Sequence, residues 1–201
     1  MLRLIDYLPS GNCYKVRLLL TQLGVPFERT PVTLRLTLEA AAELRKINPL
    51  GRVPTLILEN GEAMGESNAI LLHFADGTPL MPVDRMQRAR VYEWLFWEQY
   101  DHEPTVAVIR AWIRFFGVPA GREADVEPLR ARAHKALSVL ESHLVTRDFL
   151  VGETYTIADI ALFAYTHVAP DGGVALDGYP AIRAWIERVQ AQPGHIPITA
   201  G

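Results

Sequence analysis

Four side chains able to handle a sulfur or a proton fall close together near the start of the chain, in the stretch DYLPSGNCYKVRLLL: Tyr7, Ser10, Asn12 and Cys13. They stand where an apolar strand gives way to a helix. A thiol at a helix start has its pKa lowered by the positive end of the dipole, and a hydroxyl or amide there can donate to the sulfur of a ligand. Cys13 is the only cysteine, and most lone cysteines pack as small buried apolar groups. Asn12 also suits a turn or a helix start on conformational grounds alone. Further on, GRVPTL (Gly51 to Leu56) sets a proline at the start of a strand that otherwise reads as central, where a missing N–H is out of place. A cis Val53-Pro54 bond resolves this and frees the N–H and C=O of Val53 for an extended ligand; a trans proline opening an edge strand is the statistical default. In GESNAILL, Glu66 and Ser67 open a helix whose first N–H groups are unpaired, a ready site for a carboxylate. Taken alone, a serine N-cap is the stronger explanation of Ser67. The cluster YDHEP, Tyr100 to Pro104, offers Asp, His and Glu as neighbours, but adjacent helical residues point to different faces and cannot close on one metal ion.

These residues need elements to hold them. Leu2–Tyr7 reads as a strand, and Val16, Leu19, Leu20 and Leu23 fall on one helical face that Gly24 and Pro26 bring to an end. Phe27–Leu34 reads as a second strand and Thr37–Ile47 as a second helix, with Thr37 a candidate N-cap. Val53–Leu58 and the residues around Ala63-Met64 flank Asn60-Gly61, the favoured hairpin dipeptide, and Ser67–Phe74 reads as a third helix. After the Gly- and Pro-rich Asp76–Asp84 no convincing strand appears. Asp84 and Gln87 have the spacing of a capping box, Pro104 is expected to kink or divide the helix it opens, and a helical run carries Val108, Trp112, Phe115 and Phe116. Leu129–Leu144, Ile157–Val168 and Tyr179–Gln192 read as three more helices. The expected organisation is an α/β domain over residues 1–76 and an all-α domain over 84–201.

The bulk properties narrow the function classes. A chain of 201 residues with 49% hydrophobic and 21% charged residues can bury a full core. A net charge of −3 lacks the basic footprint of a nucleic-acid binder. Nothing resembles a leader, and no apolar run approaches the ~18 residues of a membrane span, so the expectation is a cytoplasmic protein with neither nucleic acid nor membrane as partner.

As a set, SGNCYKVRL, NPLGRVPTL and GESNAIL, in this order and at these separations, resemble the thioredoxin-like N-terminal domain of the cytosolic glutathione transferases, and the helical remainder resembles their C-terminal domain. ETYTIADIALF adds a capping box of the family's kind, Thr156 and Asp159. The likeness spans essentially the whole chain and implies a bacterial serine-type (theta-, zeta- or nu-like) member with the glutathione transferase fold. By that resemblance glutathione is co-substrate and no metal is needed. Val53, with Pro54 cis, bonds the cysteinyl backbone; Glu66 faces the α-amino group and Ser67 the α-carboxylate; Arg52 reaches one carboxylate. Ser10 takes the place of the active hydroxyl and Asn12 is the second choice at the sulfur, while Cys13 and Tyr7 take no chemical step. Where relatives carry His or Lys for the glycyl carboxylate, Glu39-Ala40-Ala41-Ala42 has none, with Arg35 nearby. The implied activity is a detoxifying transfer of the glutathione thiolate to a hydrophobic electrophile by a homodimer. A glutathione-dependent disulfide oxidoreductase and a non-catalytic glutathione or ligand carrier are the alternatives. Tyr100 and Trp112 are candidates for lining the second-substrate pocket.

Overall fold

Apolar residues in β1 (Leu2–Asp6) and along α1 (Gly11–Gln22) set the first layers of the fold. β1 pairs in parallel with β2 (Phe27–Pro31), Leu2 opposite Phe27, and α1 is the crossover between them. On its other edge β1 pairs antiparallel with β3 (Thr55–Ile57), Leu4 opposite Leu56, and β3 with β4 (Ala63–Met64), giving the order β2-β1-β3-β4. Leu2, Leu4, Val16, Leu20, Leu56 and Ile70 form the core between this sheet and the helices α1 and α3 (Ser67–Ala75). The structure, a computed structural model, describes residues 1–33 and 38–201. The candidate cap Thr37 and the candidate ligand Arg35 lie outside the described residues; α2 is Leu38–Ile47. The second strand ends at Pro31, short of the Leu34 expected from its apolar run.

The chain divides into two compact units, residues 1–78 together with 193–201, and residues 79–192. The last nine residues thus group with the sheet, not with the helices that precede them. Tyr14 donates its hydroxyl to the carbonyl of Ile196 at 2.6 Å, and Arg17 Nη2 donates to the carbonyls of Ile198 and Leu8 at 2.8 and 2.9 Å. Arg17 also meets Asp6 at 2.6 Å, and the same buried carboxylate takes Arg29 at 2.5 Å. Consequently α1 is not the one-faced amphipathic helix its leucine spacing suggested: Cys13 to Leu20 are all buried, Lys15 and Arg17 included.

In the second unit Asp84 accepts from the Gln87 N–H at 2.9 Å and starts α4 (Arg85–Trp97). A π-helical turn at Glu98–His102 separates it from α5 (Glu103–Arg110), whose first turn holds Pro104 where no N–H is needed. That is the division expected from the proline. A further π-helical turn, Ala111–Phe116, ends at Gly117 with φ 77°. The helices α6 (Val126–Leu144), α7 (Ile157–Thr166) and α8 (Pro180–Gln190) complete the unit. The Thr156–Asp159 capping box is present at the start of α7. Asp101 is exposed while His102 is buried with Nε2 2.9 Å from Thr166 Oγ1, so these neighbours do face apart. No helix among the described residues is long and apolar enough to cross a membrane.

Candidate functional site

β1 ends beside β3, and the loop that follows it carries Ser10 onto the start of α1. Ser10 is the N-cap: its backbone is extended and its hydroxyl oxygen accepts from the Cys13 N–H at 3.3 Å. The hydroxyl proton is not used by that bond. Cys13 turns inward, fully buried, with its sulfur accepting from the Tyr7 N–H at 3.4 Å. Desolvation outweighs both hydrogen bonds and pushes its thiol up to about 12. The helix start that could have activated this cysteine therefore fails to do so. Cys13 is expected to resist a disulfide reagent at pH 8 in the folded protein and to react stoichiometrically once urea unfolds it. Rapid native labelling would show that the thiol reaches solvent.

Val53-Pro54 is cis, the less common of the two readings that the proline allowed, with Pro54 buried and Val53 half-buried. Asn48, just past α2, secures this turn: its Nδ2 donates to Thr55 Oγ1 at 2.7 Å and to the Arg52 carbonyl at 3.2 Å. Thr55 donates to that carbonyl in turn, at 2.7 Å. Gly65 packs directly on the Asn48 side chain, where a Cβ would come within 2.9 Å of Nδ2, so only glycine permits the approach. Asn48 thereby joins the cis-proline turn to the segment leading into α3. Arg52 itself is exposed.

At that helix start Glu66 is exposed and adopts φ 59° and ψ 107°, a conformation costing a non-glycine residue on the order of 1 kcal/mol. Glu66, not Ser67, is the N-cap residue, and it makes no side-chain capping bond. Ser67 is the first helical residue. Its buried hydroxyl donates across to Asn12 Oδ1 at 3.2 Å, which leaves the first-turn N–H groups of α3 without a serine cap. The plain capping explanation of Ser67 does not hold. Lys15, fully buried, approaches Ser67 Oγ and Asn68 Oδ1, each at 3.4 Å.

Of the residues singled out in the sequence, Asn12 and Ser67 meet directly, and Arg52, Val53, Pro54 and Glu66 are tied together through Asn48 and Gly65. Ser10 caps the same helix that carries Asn12. Lys15 and Asn48 were not singled out; a proline-adjacent asparagine and a helix lysine carry no signal without knowledge of what packs on them. In the second unit Tyr100 is 82% exposed, and Trp112 lines a hollow of about 270 Å³ with Pro104, Val108 and Arg122.

The arrangement offers a hydroxyl at one helix start, a second helix start with no side-chain cap from its N-cap residue, and a cis-proline turn beside them. Comparison with known proteins gives two family matches, the N-terminal domain of glutathione S-transferase over residues 9–76 and its C-terminal domain over residues 101–193. The crystal structure of a glutathione S-transferase from Pseudomonas fluorescens is 44% identical, covers 99% of each chain and superposes with a TM-score of 0.93. The disulfide-bond oxidoreductase YfcG of Escherichia coli is 26% identical over 93% of this chain and 89% of its own. The structure of Ure2p in complex with glutathione is 25% identical over 96% and 95% of the two chains, with a TM-score of 0.86.

Proposed function

Because the chain belongs to the glutathione S-transferase family, we propose that it binds glutathione across the starts of α1 and α3, stabilises the thiolate and transfers the sulfur to an electrophilic carbon of a hydrophobic second substrate. The observation that carries this is the 3.2 Å bond from Ser67 to Asn12, which couples the proposed carboxylate end of the site to its sulfur end. The first-turn N–H groups of α3 and the Ser67 hydroxyl take the α-carboxylate of the γ-glutamyl unit. Exposed Glu66 meets the α-ammonium. The N–H and C=O of Val53, presented by the cis bond, pair with the cysteinyl backbone, and Arg52 reaches a carboxylate. Ser10, which accepts from the Cys13 N–H, donates a hydrogen bond from its hydroxyl to the ligand thiolate while keeping the proton, and the dipole of α1 adds to the effect. A free thiol with pKa ~8.5 is only a few per cent ionised at neutral pH; lowering it by about two units requires roughly 2.7 kcal/mol, within the reach of one good donor and a helix end. The thiol proton leaves to solvent, the sulfur lone pair forms the new S–C bond, and the leaving group departs with its electron pair.

A disulfide-reducing activity is the second reading, favoured by the placement of Asn12, whose oxygen is held by Ser67, and by the likeness to YfcG. In that case the thiolate attacks a disulfide sulfur and expels the other half as thiolate. A carrier role without turnover is the third. Retention on glutathione-agarose followed by turnover of a chloronitrobenzene supports the transferase. Turnover of hydroxyethyl disulfide alone supports the second reading, and retention without either reaction supports the carrier. Failure to bind glutathione overturns all three.

We also place the protein in the cytoplasm as a detoxifying homodimer. Sedimentation at micromolar concentration is expected to give about twice the 22.5 kDa of the chain; a clean monomer would overturn the dimer.

A further inference from the structure

Lys15 is a buried charged group of the first unit to which the reading above gives no task. It stands in the second turn of α1 with no exposed surface, and its Nζ lies 3.4 Å from both Ser67 Oγ and Asn68 Oδ1, on the first two residues of α3. An ammonium group donates and never accepts. The Ser67 oxygen therefore receives a proton from Lys15 and must send its own outward, which it does to Asn12 Oδ1 at 3.2 Å. Asn68 turns its amide oxygen to the same ammonium, keeping that acceptor engaged with a cation. The start of a nine-residue helix already carries the positive end of its dipole, and the Lys15 ammonium is a second positive source beside it. Two positive sources bear on one hydroxyl whose proton points away from both. An anion in front of Ser67 is attracted by both.

We propose that Lys15 is a specificity-determining positioning residue which, acting through Ser67, makes the start of α3 select thiol peptides carrying a free α-carboxylate on a γ-glutamyl unit. The inference rests on the glutathione reading above and adds to it the residue that discriminates. A ligand carboxylate takes the Ser67 proton in place of Asn12 Oδ1, and a hydroxyl that accepts from a cation is a stronger donor than one that does not. Lys15 stays buried throughout and does not touch the ligand.

The test is calorimetric titration of the intact protein with glutathione and with γ-aminobutyryl-cysteinyl-glycine, which differs only in lacking the α-carboxylate. The wild type is expected to prefer glutathione by about a hundredfold, the scale of losing charge-assisted hydrogen bonds. In Lys15→Met the glutathione affinity falls about tenfold, or ~1.4 kcal/mol, while that of the analogue is unchanged. Equal weakening of both ligands, or of neither, overturns the proposal. Should Lys15→Met not fold, Lys15→Gln keeps a donor without the charge, and the same two titrations of it support or overturn the proposal in the same way. A wild type that binds glutathione while the variant keeps full discrimination refutes Lys15 alone; a wild type that binds neither ligand refutes the glutathione reading and the Lys15 proposal with it.

Discussion

Ser10→Ala is expected to raise the apparent pKa of bound glutathione by up to ~2 units and to cut turnover near neutral pH by one to two orders of magnitude, roughly tenfold per unit. Affinity for glutathione should change little, because Val53, Glu66 and Ser67 supply most of the proposed contacts. The readouts are ultraviolet titration of the bound thiolate and the pH dependence of turnover at saturating glutathione. In the variant the rate recovers as pH rises, since hydroxide replaces the missing donor in producing thiolate. Ser10 is also the N-cap of α1, so Ser10→Ala carries a stability loss of about 1 kcal/mol. Ser10→Thr retains both the cap and the hydroxyl and is expected to keep the wild-type profile. Asn12→Ala is the matched control: a larger loss there, with Ser10→Ala near wild type, gives the sulfur to Asn12 and favours the disulfide-reducing reading.

Asp159→Ala should lower the unfolding free energy by about 3–6 kcal/mol, well beyond the ~1 kcal/mol of an ordinary lost cap. The fully buried carboxylate accepts from the N–H groups of Leu150 and Thr156 and from Trp185 Nε1, each at 2.9 Å, and from the Thr156 hydroxyl at 3.2 Å. Alanine leaves these donors orphaned in a closed interior, and that orphaning sets the size of the loss. Burial raises the Asp159 carboxyl to about 6, against 3.8 for the ordinary group, although all four hydrogen bonds pull the other way. Between those values the folded state holds the proton longer than the unfolded state. The contribution of this group to stability is therefore complete below 3.8 and is lost as pH rises through 6. The urea midpoint of the wild type, relative to that of Asp159→Asn, should fall across that window. A flat difference would show that the carboxylate is as well solvated by its donors as by water.

What could be read from the sequence depended on how far each signal reaches along the chain. The cis Val53-Pro54 bond was legible as one of two readings, because a proline at the start of a strand that reads as central poses a local contradiction. The Asp159 box was legible as a four-residue spacing, but its weight was not, since Leu150 and Trp185 come from 9 and 26 positions away. Ser67 looked like a cap because serine at a helix start usually is one; the partner that draws its hydroxyl elsewhere, Asn12, lies 55 positions back. Lys15 was not singled out, because the residues it meets at the start of α3 lie 52 and 53 positions further along the chain. The π-helical turns at Glu98–His102 and Ala111–Phe116 escaped notice because one extra residue per turn barely disturbs a period of about 3.6 over so short a window. Strand and helix order, by contrast, rests on punctuation by Gly24, Pro26 and Asn60-Gly61, which needs no distant partner.

The return of residues 193–201 to the first unit bears on how the protein is made. On a ribosome adding about 5–20 residues per second, the span from 79 to 192 takes on the order of ten seconds to synthesise after the sheet has emerged. During that interval Tyr14 and Arg17 lack the carbonyls of Ile196 and Ile198. Arg17 is also the group that grips the Leu8 carbonyl, two residues from Ser10. The loop carrying the proposed sulfur donor is thus braced from one side early and from the other only once residues 196–198 have been made, so a nascent chain arrested before residue 196 would display a nearly complete sheet with its reactive end still unfinished.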